Sequence, residues 1–198
     1  SLLPKYRGFN PLVTALINGD DYVGISALFA EEKYDTGDIV FQKKIKINYP
    51  IKILQALEKV SLVYSETIEK IIEKFRRGDL KATSQSENKA SYSIWRDDKD
   101  YYIDWGNDAD RIKRKIDASG FPYDGAKTML NKKIIKIKDS EVFKNVEIVN
   151  RDVGKIIFYD DKCPVVICGD GLLKITSMED LNGKNIKKIK FKTRFGSE

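Results

Sequence analysis

The stretch "NPLVTALINGDDYVGISALFA", residues 10–30, changes its periodicity in the middle. In the first half Leu12, Val13, Ala15 and Leu16 recur at helical spacing. Asn10 and Pro11 stand where an N-cap and a first helical residue belong, and Gly19 supplies the stop. In the second half, "YVGISALFA" (residues 22–30) is an apolar run of strand length, as expected of a buried strand. The front of the chain is therefore read as a short helix followed by a buried strand.

Working outward, "EEKYDTGD" (residues 31–38) is a polar loop, and "IVFQKKIKI" (residues 39–47) alternates like a half-exposed strand. From Pro50 the pattern returns to a helix. Ile51, Leu54, Leu57, Val60, Tyr64, Ile68, Ile71 and Phe75 form one apolar face, and Gly78 ends it. "LKATSQSENKA" (residues 80–90) has the small, polar composition of a linker. The expected organisation is therefore a first domain over 1–79, a linker over 80–90 and a second domain over 91–198.

The second part opens with "SYSIWRDDKDYYIDW", which holds both tryptophans. "NDADRIKRKIDASG" reads as a helix capped near Asn107 or Asp108 and stopped by Gly120, and "FPYDGA" reads as a turn. From Met129 onward, "IIKI", "VEIV", "GKIIFY", "PVVICG", "GLLKIT" and "IKKIKF" are short strands split by Asp, Asn and Gly. That spacing predicts a small β-barrel or sandwich.

Composition narrows the function. Hydrophobic residues make up 41% of the 198, too many for a disordered chain. The longest apolar runs are too short to span a bilayer, so no membrane association is expected, and no signal-peptide pattern is present. A soluble, cytoplasmic protein is the expectation. The chain has no His, which removes the usual near-neutral base and the commonest zinc ligand, and no metal is expected. Cys163 and Cys168 flank "PVVI" and read as core residues rather than half of a metal site. The net charge of +6 concentrates in "KNIKKIKFKTR", with six Lys or Arg and no acid. This run reads either as a solvated strand face or as a patch for a polyanion such as tRNA or a sugar diphosphate.

Neither a P-loop nor a GxGxxG motif occurs. "DTGD", Asp35 to Asp38, remains. An Asp in such a loop commonly bonds its own backbone; at the end of a buried strand it could instead orient a His from elsewhere. Residue pattern alone leaves both open.

The motifs "SLLPKYRGFNPLVTALINGD", "VGISALF" and "YDTGDIV" closely resemble the methionyl-tRNA formyltransferase family, and "YYIDW" and "GFPYDGA" resemble its second domain. The resemblance implies an α/β fold, the C-terminal part of a Rossmann-like formyltransferase domain, followed by a small OB-like β-barrel. It also implies transfer of a formyl group from 10-formyltetrahydrofolate to a primary amine. An Asn, a His and an Asp form the family's catalytic trio. The first two precede the SLLP stretch, and only the Asp maps here, onto Asp35, so the chain reads as the rear part of such an enzyme. By the same analogy Glu32, Lys33, Tyr34, Thr36 and Gly37 border the folate. Pro4, Tyr6, Arg7, Gly8, Phe9 and Asn10 border the acceptor, and Asp38 braces the loop. Family members differ in acceptor. The aromatic Phe9 after Arg7-Gly8 favours a nucleotide-linked amino sugar, whereas the basic C-terminal run suits tRNA. A non-catalytic fragment or binding module is the reading from a different class, since the Asn and His are missing.

Overall fold

The computed structural model describes residues 1–196 and divides into two compact units, Ser1–Arg96 and Asp97–Glu198. In the first unit, β1 (Arg7–Gly8) leads into α1 (Pro11–Asn18), followed by β2 (Tyr22–Leu28), β3 (Ile39–Lys46), α2 (Ile53–Arg76) and β4 (Tyr92–Ser93). Pro11 opens α1, and Gly19 closes it in the left-handed region, its N–H on the carbonyls of Ala15 and Leu16. Asn10 occupies the N-cap position, but with φ 48° its side chain makes no capping bond; only its carbonyl takes the Thr14 N–H, at 3.1 Å.

β2 and β3 pair antiparallel from Tyr22↔Lys46 to Leu28↔Ile39. Val13, Ala15, Leu16 and Ile17 of α1, Val23 and Ile25 of β2, and Ile45, Ile53 and Ala56 are buried. β1 and β4 pair in parallel, Arg7 opposite Tyr92 and Gly8 opposite Ser93.

Two expectations change here. Residues 80–90 are not a free linker. Thr83 exchanges both backbone bonds with Ile39, at 2.8 and 2.9 Å, a 3-10 turn spans Glu87–Lys89, and the division between units falls after Arg96. A small, polar composition reads as a linker because the partners of its polar groups lie far away in sequence. The second concerns α2, which begins at Ile53 and not at Pro50 and whose expected apolar face is exposed at four of its eight residues. Leu54, Tyr64, Ile68 and Phe75 are exposed, while Ile53, Ala56 and Thr67 are the buried residues. A 24-residue helix is about 36 Å long, and the eight-residue β3 spans only about 26 Å.

The second unit carries α3 (Ala109–Ser119), with β5 (Ala126–Leu130), β6 (Lys133–Phe143), β7 (Ile156–Asp160), β8 (Cys163–Ile167), β9 (Leu172–Asp180) and β10 (Phe195–Gly196). Asp108 caps α3 by accepting from the Arg111 N–H at 2.7 Å, and Gly120 follows its end, as the sequence predicts. The strands form one antiparallel sheet in the order β10-β5-β6-β9-β8-β7. Its outer strands are drawn together. Lys155 bridges Arg194, Phe195 N–H donates to the Gly154 carbonyl at 2.7 Å, and Ile156 N–H donates to Thr193 at 3.2 Å. The sheet therefore curls around a core that includes Trp105, Ile112, Ile116, Ile137, Leu173 and Phe195. Trp105 Nε1 donates to Thr128 Oγ1 at 3.0 Å, which satisfies the indole inside that core.

Two expected strands do not form. "VEIV" is irregular: Val149 is 93% exposed, and only Ile148 packs inward, against the cluster around Val165 and Leu172. Residues 184–194 make only isolated bridges, Asn185 with Glu179 and Arg194 with Lys155, so the basic run is an irregular segment and not a strand with one wet face. Of the two cysteines, Cys168 is fully buried, and burial pushes its thiol up to about 12; Cys163 is half-buried at the turn between β7 and β8. No described helix is long and apolar enough to cross a membrane.

Candidate active site

Residues 4–9 are joined to residues 91–93 by alternating bonds. Ser91 N–H donates to the Pro4 carbonyl, Arg7 N–H to Ser91 (2.8 Å) and Phe9 N–H to Ser93 (3.0 Å), while Ser91 Oγ accepts from the Tyr6 N–H. This ladder is tight. Gly8 has φ 101°, and a Cβ there would lie 2.6 Å from the Ser93 carbonyl oxygen, so only glycine fits.

Asp35 comes to this ladder from 27 residues away. Its Oδ2 accepts the Gly8 N–H at 2.8 Å, and its own φ is 60°, in the left-handed region that Asp tolerates. Among the described residues no donor reaches its other oxygen. The carboxylate is thus held at one oxygen and open at the other.

The loop around Asp35 is braced from three sides. Thr36 Oγ1 donates to the Lys33 carbonyl at 2.9 Å. Asp38 contributes through its backbone, its carbonyl accepting the Phe29 N–H at 3.0 Å. Gly37 is buried so closely against the Phe29 carbonyl that a Cβ would lie 1.9 Å from the oxygen. The third brace is Gln85, whose Nε2 donates to the carbonyls of both Asp35 (2.8 Å) and Gly37 (2.7 Å).

The other end of the Gln85 amide meets Arg7. Oε1 accepts from Arg7 Nε at 3.2 Å and from Nη2 at 2.9 Å. Glu87 takes the outer edge of the same guanidinium in a forked pair, at 2.9 and 2.7 Å. The Arg7 side chain is only 1% exposed, so its charge depends on these partners. The Glu87 hydrogen bond holds the guanidinium above its ordinary value against the opposing effect of burial, and the Glu87 carboxyl in turn lies below its own.

The Arg7 guanidinium points at Gln85 and Glu87 and so braces the lip. Gly8 acts through its N–H. Phe9 is 60% exposed on the lip, and Asn10 turns the chain in the left-handed region. Pro4 and Tyr6 line an open cleft of about 1180 Å³ with Leu12, Val23, Leu57 and Tyr64; Asp35 is not in its lining. The Tyr6 hydroxyl accepts from Asn18 Nδ2 at 3.2 Å, and burial raises its titration above the usual tyrosine value. Glu32, Lys33 and Tyr34 project from the outer side of the loop, Tyr34 at 87% exposure. Among the described residues no group of three or more His, Cys, Asp or Glu is arranged to hold a metal.

Sequence reasoning missed Gln85, Glu87, Ser91 and Ser93. One signal was available: Gln85 and Glu87 are two apart, which in extended chain places both on one face.

Comparison with known proteins agrees with the motifs. The formyl transferase domain matches residues 1–81, and the formyl transferase C-terminal domain matches residues 96–195. A methionyl-tRNA formyltransferase of Halothermothrix orenii is 30% identical over 195 residues, covering 96% of this chain and 61% of the relative. The chain therefore spans about three-fifths of that relative's length. The structure of HypX from Aquifex aeolicus in complex with tetrahydrofolic acid aligns with a TM-score of 0.63 at 24% identity, over 93% of this chain and 32% of that one. An N-formyltransferase from Helicobacter canadensis, in complex with folinic acid and dTDP-3-aminofucose, aligns with a TM-score of 0.66 at 20% identity, over 94% of this chain and 64% of that one. At these identities the two structures speak for a shared fold.

Proposed function

The chain belongs to the formyl transferase family, and on that premise we propose that it takes part in moving a formyl group from 10-formyltetrahydrofolate to a primary amine. One observation carries the reading: Asp35 stands in the family's DTGD loop with its carboxylate fixed on the Gly8 N–H and one oxygen open.

The donor supplies an electrophilic formyl carbon. The acceptor amine attacks only when uncharged, and it gains positive charge as its C–N bond forms. Asp35 sits at a rigid lip and offers an acceptor for the proton that nitrogen loses, or for the N–H of a His that relays it. Fixing the carboxylate in advance removes the cost of orienting it during the reaction. The outer side of the loop suits a flat heteroaromatic donor: Tyr34 presents a bare ring for stacking, Lys33 faces an acidic tail, and Glu32, Thr36 and Gly37 complete the border. Pro4, Tyr6, Phe9 and Asn10 border the acceptor, with Arg7 and Gly8 holding that lip in place. These 198 residues contain no His, so on this reading the His of the trio is supplied from outside them. A cytoplasmic location goes with this reading.

Two acceptors fit. The exposed Phe9 at the lip supports a nucleotide-linked amino sugar. The 30% identity to a methionyl-tRNA formyltransferase and the basic residues of the 184–194 segment support charged initiator tRNA with equal weight. The curled sheet of the second unit, its outer strands joined at Lys155 and Arg194, supports an OB-like reading.

The test is Asp35→Asn in the full-length protein, offered 10-formyltetrahydrofolate with a dTDP-linked amino sugar and with methionyl-tRNA side by side. Loss of at least a hundredfold in kcat with an unchanged circular dichroism spectrum is expected. Near-normal turnover would make the loop structural, and the acceptor that wild type formylates decides between the two readings.

A further inference from the structure

We infer that Gln85 is a positioning residue for the Asp35 loop, setting the place of its carboxylate against the acceptor lip. The inference rests on the reading of Asp35 given above.

The geometry is complete at every atom of the amide. Gln85 has two N–H donors and one carbonyl oxygen with two lone pairs. Both donors go to the loop, at Asp35 and Gly37, and both lone pairs go to Arg7, at Nε and Nη2. The orientation of the amide is fixed by chemistry, because two carbonyls require the NH2 end and a guanidinium requires the oxygen. The two carbonyls flank Thr36, so the bonds clamp the turn that sets the direction of the Asp35 side chain. Arg7 is adjacent to Gly8, whose N–H holds Asp35 Oδ2. A closed circuit results: Asp35 carboxylate, Gly8, Arg7, Gln85, Asp35 carbonyl.

The circuit ties together three segments, β1, the 31–38 loop and the stretch after Thr83, and adds to the β1–β4 and Ile39–Thr83 backbone pairs a link that reaches the turn at Asp35. Arg7, nearly fully buried and gripped by Glu87, is its anchor. Without the Gln85 donors, the Asp35 and Gly37 carbonyls lose their partner, and the turn is held only by the Gly8 bond to the carboxylate and by the Thr36 and Asp38 braces on either side. A displacement of about 1 Å costs catalysis about a hundredfold. Substrate affinity is spared, because no contact to donor or acceptor is assigned to Gln85.

Gln85→Glu separates the two halves of the amide. The acceptor for Arg7 remains and gains charge, while the donors to Asp35 and Gly37 are lost. In the full-length protein, kcat should fall ten- to a hundredfold with each KM within threefold of wild type. Amide hydrogen exchange should quicken at least tenfold at Phe29 and Ile39, which bond to Asp38 and Thr83, and stay unchanged at Thr14 in α1. Asp35→Asn is measured in parallel. If Asp35→Asn is inactive while Gln85→Glu keeps its kcat, the inference falls and the proposed function stands. If Asp35→Asn is active, both fall. If exchange quickens equally at Thr14, Gln85 is a general stabiliser and the inference falls.

Discussion

At the scale of single residues, the Arg7–Glu87 pair links the site to pH. The hydrogen bond from Arg7 holds the Glu87 carboxyl below its ordinary value of 4.5, against a weaker effect of burial. A carboxyl lowered on folding contributes stability that is fully present above the ordinary value and is lost as pH falls through the folded one. The Glu87 side chain is 70% exposed, so solvent and salt screen the contribution. Replacing Glu87 with Gln should therefore flatten part of the stability loss on acidification below about pH 5, measured as the unfolding midpoint of wild type minus that of the variant. Coincident curves would show that the pair is not coupled to folding. The tenuous part of the site in sequence terms is here too: Asp35 stands out in its motif, whereas Gln85 and Glu87 sit in a stretch with the composition of a linker.

At the scale of elements, α2 separates pattern from burial. Its periodicity is plain in the sequence, and the helix forms from Ile53 to Arg76. Its stripe is nonetheless bare at Ile68 (49% exposed) and Phe75 (72%), because the two-stranded β2–β3 hairpin reaches only part of its length. Side chains that bury little contribute little. The double variant Ile68→Glu, Phe75→Glu in this chain should change stability by less than about 0.5 kcal/mol, as surface substitutions do, and should lower binding of a hydrophobic dye. A loss above about 2 kcal/mol, the scale of a buried apolar side chain, would show that this face is covered in solution. The "VEIV" and "IKKIKF" segments teach the same lesson in reverse. Their alternation suits a strand, but β6 runs on through Phe143 and takes the sheet position beside β9.

At the scale of the whole molecule, each unit has its own core. In the second, Leu173, Val166 and Cys168 are fully buried, and the sheet curls until Lys155 meets Arg194. Leu173→Ala removes fully buried side-chain volume near the start of β9 and should cost about 2–5 kcal/mol. Trp105, 3% exposed and in the same cluster, reports it by fluorescence once the exposed Trp95 is changed to Phe. A cost below about 1 kcal/mol would mean that the sheet closes over the cavity or packs more loosely than its burial implies.

The sequence by itself determined α1 with its Pro11 and Gly19 ends, the β2 and β3 strands, α3 with its Asp108 cap, and the loop that carries Asp35. These features arise from interactions within a few residues, where helical and strand periodicity, capping and turn chemistry act directly on the backbone. Only the tertiary structure decided that Gln85 and Glu87 grip Arg7 across 78 and 80 residues, that residues 80–90 belong to the first unit, and that the second unit's sheet ends by meeting itself. A buried guanidinium takes whichever acceptors the fold brings to it, and a polar stretch looks the same in sequence whether water or a distant arginine satisfies it.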